Sequence, residues 1–215
     1  HADSTSKYSR LLPLTPISLS NPLVSGLTMI LCFAIASIAI TVYGPYLMVK
    51  IHGTSLLVAG YIVACSSIGW SIAAIAVSSL DERYDRRMIL IGMCTLTLSI
   101  GGFAYSVPNG PILLIALCAL IEGAGFGMAW TFILRLATNL ADGTEKERIA
   151  AALPTVHRAG YAIGAAYIGV IANTAQLDSA GDVETIRAAT VWVFIACLPF
   201  AVLGLVAAYR FTREH

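Results

Sequence analysis

The sequence predicts an all-α, polytopic membrane protein with six transmembrane helices. Hydrophobic residues make up 58% of the chain and charged residues 12%, with a mean hydropathy of +0.81, too apolar for a protein whose whole surface meets water. The apolar residues gather into six runs, each near or above the ~20 residues that cross a hydrocarbon core. The charges gather between the runs, most densely at Asp81-Glu82-Arg83-Tyr84-Asp85-Arg86-Arg87, where a short connection must sit at a membrane surface.

Residues 1–22 read as a cytoplasmic linker and membrane approach, because Pro13, Pro16 and Pro22 break any regular helix there. The bundle is expected over 23–209 and a cytoplasmic tail over 210–215. The first span, 23–48, ends in Tyr43-Gly44-Pro45-Tyr46. Pro45 removes a backbone donor and Gly44 adds freedom, so a helix break or kink is expected at the pair. Tyr43 and Tyr46 are then either gate residues on a substrate pathway or part of an outer aromatic belt. The second span, 55–79, carries Trp70 after Ser66 and Ser67. The third, 88–106, offers small and apolar residues only and reads as scaffold, and Val107 to Pro111 is an uncharged outer turn.

The fourth span, 111–137, contains Glu122 about eleven residues from its outer end, near mid-bilayer. An ionised carboxyl there costs several kcal/mol if it faces lipid, so it must face a cavity, a partner or a proton. Gly123 and Gly127 make a small-xxx-small pair suited to close helix packing. The fifth span, 149–173, places His157 and Arg158 about two turns from its cytoplasmic end. Arg158 can snorkel to the headgroups or turn inward toward the pathway. The sixth span, 185–209, holds Pro199 and Gly204 and no chemistry.

With the N-terminus inside, the inner segments hold Lys7, Arg10, Arg83, Arg86, Arg87, Arg135, Lys146, Arg148, Arg210 and Arg213, against Lys50 and Arg187 outside. That asymmetry places both termini in the cytoplasm and the chain in the cell (inner) membrane. The basic residues are distributed by topology, which excludes a nucleic-acid surface. Cys32, Cys65, Cys94, Cys118 and Cys197 fall on five different spans, with no disulfide framework or metal spacing. No metal or cofactor is expected. The polar first residues and the missing initiator Met suggest a fragment that begins in a linker.

The stretch from Ser78 to Arg87 resembles the G-x-x-x-D-R-x-G-R-R/K signature joining the second and third helices of each half of major facilitator transporters. Here Glu82 stands for the Asp, Ser78 for the first Gly and Asp85 for the Gly of a tight turn, a position that favours left-handed backbone. The resemblance implies that Glu82, Arg83, Asp85, Arg86 and Arg87 form a conformational latch. From Tyr43 to Trp70 the chain is similar to bacterial drug:proton antiporters of the fourteen-helix type, through Pro45, Gly53, Ser55, Ala59, Gly60 and Tyr61. The fifth span, with a basic residue followed by Gly160, Gly164 and Gly169, resembles the eleventh helix of that superfamily.

The resemblance implies one six-helix bundle of the major facilitator type, the C-terminal half of a secondary transporter working by alternating access. Its partners would be a small-molecule substrate, protons, the lipid bilayer, and a missing N-terminal half or a second copy. Proton-coupled export of small, largely apolar or drug-like molecules is the expected function. An uptake carrier for a small metabolite is the alternative. An enzyme is not expected: an intramembrane serine protease would use Ser71 and His157, but needs G-x-S-G where Gly69-Trp70-Ser71 is followed by Ile72. The residues assigned to the substrate or proton pathway are Glu122, Tyr43, Tyr46, Trp70 and Arg158.

Overall fold

The computed structural model describes residues 21–141, 143–177 and 182–213. The expected linker therefore lies almost wholly outside the described residues. Among the described residues, seven α-helices follow one another: α1 (Pro22–His52), α2 (Leu56–Val77), α3 (Asp85–Asn109), α4 (Ile112–Leu140), α5 (Thr144–Thr174), α6 (Val183–Ile195) and α7 (Leu198–Thr212). One 3-10 turn, Glu82–Tyr84, links α2 to α3. Among the described residues, five stretches are long and apolar enough to cross a membrane: α1, α2, Glu82–Asn109, α4 and Val183–Thr212. Helix α5 has the length, at 31 residues, or about 46 Å. Its composition is more polar, because Lys146, Glu147, Arg148, His157 and Arg158 interrupt a run rich in Ala and Gly.

Helix ends follow local chemistry. The Asn21 side chain accepts from the Leu23 N–H at 2.9 Å to open α1, and Gly53, at φ 65, closes it in the left-handed conformation that glycine adopts without strain. Ser55 caps α2 through the Val58 N–H and Asp182 caps α6 through the Thr185 N–H. At the C-terminal end of α3, Val107 would offer its carbonyl to the N–H of residue 111, which is proline. His52 supplies the missing donor from α1, with Nε2 at 2.8 Å.

Two expectations about breaks are corrected. The chain does not break at Gly44 and Pro45: α1 runs on from Pro22 to His52 with Pro45 inside it, so of the break or kink expected there the break does not form. The sixth span is instead the interrupted one, divided between Ile195 and Leu198. Pro199 sits in the first turn of α7, where it withholds a donor and crowds the carbonyl four residues back. The Cys197 N–H turns to Phe194 at 3.1 Å, and the Tyr167 hydroxyl of α5 donates to the Ala196 carbonyl at 3.3 Å.

Packing divides the bundle into two groups. Helix α4 lies between α2 and α3, and α1 lies between α5 and α7, while α3 also meets α6 and α7. Glycines set both approaches. A Cβ on Gly123 would stand 1.8 Å from the Ser66 carbonyl oxygen, and one on Gly69 2.0 Å from that of Leu120. On the other side of α4, a Cβ on Gly125 would stand 2.7 Å from the Gly92 oxygen. Small residues thus replace a hydrophobic driving force with close backbone contact.

Replacing Gly123 by Ala should force α2 and α4 apart, costing about 3 kcal/mol or more. Gly60→Ala, where a Cβ meets nothing within 4 Å, should be neutral or slightly stabilising. Thermal unfolding of the two variants in detergent checks the contrast.

Candidate functional site

Glu122 lies on the buried face of α4, 6% exposed. It lines a cavity of about 60 Å³ with Ser37 and Thr41 of α1, Ser66 and Trp70 of α2, Leu96 of α3, Gly123 and Phe126 of α4, and His157 and Tyr161 of α5. The Ser66 side chain lies beside the Glu122 carboxyl and Ser37 beside the Tyr161 hydroxyl, the Ser37 hydroxyl itself donating to the Ala34 carbonyl at 3.5 Å. The carboxyl is thus held among polar groups inside the bundle, the arrangement an ionisable group at this depth requires.

Aromatic rings form one wall. Trp70 and Phe126 meet edge to face at 4.9 Å, and Trp130 lies 5.3 Å from Phe126. The His157 ring stacks on Phe126 at 5.1 Å with planes 16° apart, 5.6 Å from Trp130 and 4.4 Å from Tyr161. Glu122 and Phe126 are one helical turn apart, so both present to the same side. The site contains no group of three metal-binding side chains, and none occurs among the described residues.

The pathway residues expected from sequence are divided. Trp70 joins Glu122 in the cavity. Tyr43 and Tyr46 are half-buried and outside its lining. The Tyr43 hydroxyl reaches toward Gly169 of α5, and the Tyr46 ring lies 5.9 Å from the Lys50 ammonium. Arg158 is exposed, and among the described residues no ion pair joins it to Glu122. Its chain neighbour His157 takes the inward position, because the two side chains point about 100° apart around the helix. Sequence reasoning treated His157 only as a partner for Ser71. Ser71 is exposed and donates to the Ser67 carbonyl at 2.9 Å, so the protease pairing is not assembled in the cavity. The available signal for His157 was Tyr161, four residues on and hence on the same face.

The charged connection is also rearranged. Asp85 is not a turn residue with left-handed backbone: at φ −48 and ψ −55 it is right-handed helical and opens α3. Arg86 and Arg87 accordingly belong to the helix. Asp85 is 3% exposed and pairs with Arg135 of α4, whose Nε donates to both carboxylate oxygens at 3.0 Å. A further donation from Arg135 Nη2 goes to Asp85 Oδ1, and one to the Leu80 carbonyl at 3.2 Å. The carboxylate also stands at a helix N-terminus, where the dipole favours it. Arg86 donates to the Thr212 carbonyl in the last turn of α7 at 3.1 Å, satisfying a group that the helix cannot. Arg83 faces Asp81 at 3.4 Å with both side chains 71% exposed, a pair of small energetic weight. Glu82 and Arg87 are exposed. Arg135, read from sequence only as a marker of sidedness, is the half-buried cation that anchors the buried Asp85 of this connection. Its signal was a lone cation near the C-terminal end of a helix whose other acidic or basic residue is Glu122.

Truncating Arg135 to Ala should strand the Asp85 carboxylate and cost about 3 kcal/mol, the low end for a buried pair because Arg135 keeps 28% of its side chain exposed. Asp85→Ala in the same background should restore part of that loss. A double-mutant cycle on thermal unfolding measures the coupling, and simple additivity would remove the pair's role.

The comparisons agree with this architecture. The chain is 30% identical over 178 residues to the "Probable multidrug-efflux transporter" of Mycobacterium tuberculosis, in strain CDC 1551 / Oshkosh and in strain ATCC 25618 / H37Rv. The match covers 80% of this chain and 36% of each relative, so this chain spans well under half the length of those proteins. The model of the Major Facilitator Superfamily matches residues 26–215, and the chain therefore belongs to the major facilitator superfamily of membrane transporters.

Proposed function

We propose that this chain is one six-helix bundle of a proton-coupled exporter of small, largely apolar or drug-like molecules, the C-terminal half of an alternating-access pair. The carrying observation is Glu122, a carboxyl buried in an intramembrane cavity among serines and aromatic rings. A group so costly to retain is suited to exchange a proton or engage a polar part of the substrate. The printed name of the Mycobacterium tuberculosis relatives supports export of drug-like compounds.

In this reading α5 is the fifth of six spans, its polar face turned to the transport path and its ends in the headgroups. A second bundle completes the path, supplied by the N-terminal half or by a second copy. Helix α2 supports that reading: its exposed face carries Gly60, Ala64, Ser67 and Ser71, spaced for close approach of another helix. The connection from Asp81 to Arg87 acts as the latch, with Asp85 and Arg135 as its fixed core. Both termini lie in the cytoplasm of the cell (inner) membrane.

Two experiments test this. Glu122→Gln and Glu122→Ala, in the full transporter, should each fold and each lose at least tenfold in proton-driven export. Unchanged flux with the original pH profile would reduce Glu122 to a structural contact, and substrate accumulation driven inward would favour the uptake alternative. For topology, single cysteines at Glu82 and Asn109, both exposed, are introduced into a cysteine-free background. An impermeant maleimide should label Asn109→Cys and not Glu82→Cys in intact cells; the opposite pattern would invert the orientation.

A further inference from the structure

Two titratable groups of different kinds share the cavity without being neighbours in sequence. Glu122 approaches from α4 and His157 from α5. The stacking of His157 on Phe126 fixes the imidazole over the face of α4 that carries Glu122. The Tyr161 ring lies 4.4 Å from the imidazole, tilted by 51°. The imidazole is thus positioned by two aromatic rings toward a space of about 60 Å³, enough for water to bridge the two groups.

We infer that Glu122 and His157 act as one proton-exchange couple across this cavity, His157 being the group that takes up and returns the proton of Glu122. The inference rests on Glu122 as the proton-handling carboxyl of the proposed function. In the exchange, the O–H bond of the Glu122 carboxylic acid breaks and its electron pair stays on the carboxylate. The lone pair on the unprotonated ring nitrogen of His157 takes the proton, directly or through water. Neutral acid and neutral imidazole become carboxylate and imidazolium, with no net change in charge. In a low-dielectric interior the two charges stabilise each other where either alone is costly.

The surroundings leave few competitors. From α1 the cavity receives only Ser37 and Thr41, from α2 Ser66 and Trp70, and from α3 Leu96. Tyr161 is the remaining titratable group of the lining, a phenol whose hydroxyl lies beside Ser37; outside the lining, the buried Cys197 thiol between α6 and α7 also interacts with Glu122. Arg158 is exposed.

Trp130 and Trp70 are built-in reporters, because an imidazolium in contact with indole quenches its emission far more than neutral imidazole does. Trp130 lies 5.6 Å from the His157 ring and 6.3 Å from Trp70. The experiment titrates tryptophan emission of the purified protein in lipid nanodiscs, with the exposed Trp192 replaced by Phe. A pH-dependent quench is expected that His157→Gln abolishes. Glu122→Gln, which removes the carboxylate but keeps its shape, should move the midpoint to lower pH by at least one unit, tenfold in proton affinity. Glu122→Asp should move it less, and carries the comparison if the Gln variant does not fold. A quench that survives His157→Gln, or a midpoint indifferent to residue 122, overturns the couple. Because emission is read without transport, loss of the couple with Glu122-dependent export intact, or the reverse, tells failure of this inference from failure of the proposed function.

Discussion

The structure depends on the approach of α4 to α2 across Gly123, where the Ser66 carbonyl oxygen occupies space that any Cβ would fill. Nothing in a bilayer pushes apolar helices together as water does, so dispersion and backbone contact must supply the attraction, and both require the helix axes to come close. The same contact creates the polar site. Because Gly123 admits the Ser66 backbone, the Ser66 side chain lies beside Glu122, the adjacent residue on α4. The tightest packing in the bundle and its most costly polar residue are therefore one local arrangement. Gly125, on the opposite side of α4, holds α3 in the same manner, which leaves α4 with little freedom to rotate Glu122 out of the cavity.

The second group, α1 with α5 and α7, meets the first less intimately. Gly160 and Gly164 of α5 lie against Leu31, Ala34 and Ile35 of α1, so His157 and Tyr161 travel with α1 while Glu122 and Trp70 travel with α4. The cavity sits on the seam between these groups, lined by both. At the surface, Asp85 with Arg135 fastens α3 to α4 inside one group, whereas Arg86 with the Thr212 carbonyl reaches from α3 to α7 across the seam. The two contacts differ in consequence: the first maintains a group, and the second sets how the groups stand relative to each other.

What was legible in the sequence follows what one-dimensional patterns encode. Hydropathy located the helices, since length and apolarity are properties of a segment alone; the expected fifth span, 149–173, is a helix in α5, but its polar residues keep it off the stretches apolar enough to cross a membrane. Glu122 was legible through an energetic rule that needs only its depth. Ser66, Ser37, Thr41 and His157 were not, because facing the cavity depends on the rotation of each helix about its axis, and that is set by glycine contacts between segments far apart in the chain. Asp85 was read as a turn residue because the motif was considered within its loop, while its partner Arg135 is fifty residues away. Proline gave the same local signal at Pro45 and Pro199 and opposite outcomes. The interruption formed where the Tyr167 hydroxyl from a neighbouring helix serves the Ala196 carbonyl, and not within α1, which stays continuous between its two flanking helices.

The size of the cavity bears on what this bundle does by itself. About 60 Å³ accommodates water or a small polar group, whereas sites for drug-sized ligands run to roughly 300–1,000 Å³. Such a substrate cannot be enclosed by these helices alone in this arrangement, and the space for it has to be completed by a second surface. The small exposed residues of α2 and the polar composition of α5 fit the second bundle of the proposed function, since Gly60, Ala64, Ser67 and Ser71 let another helix come close. In the proposed function, a carboxyl in a small polar cavity, set behind a face that a second bundle would cover, separates proton handling from substrate volume: the proton would be handled within one bundle and the substrate between two.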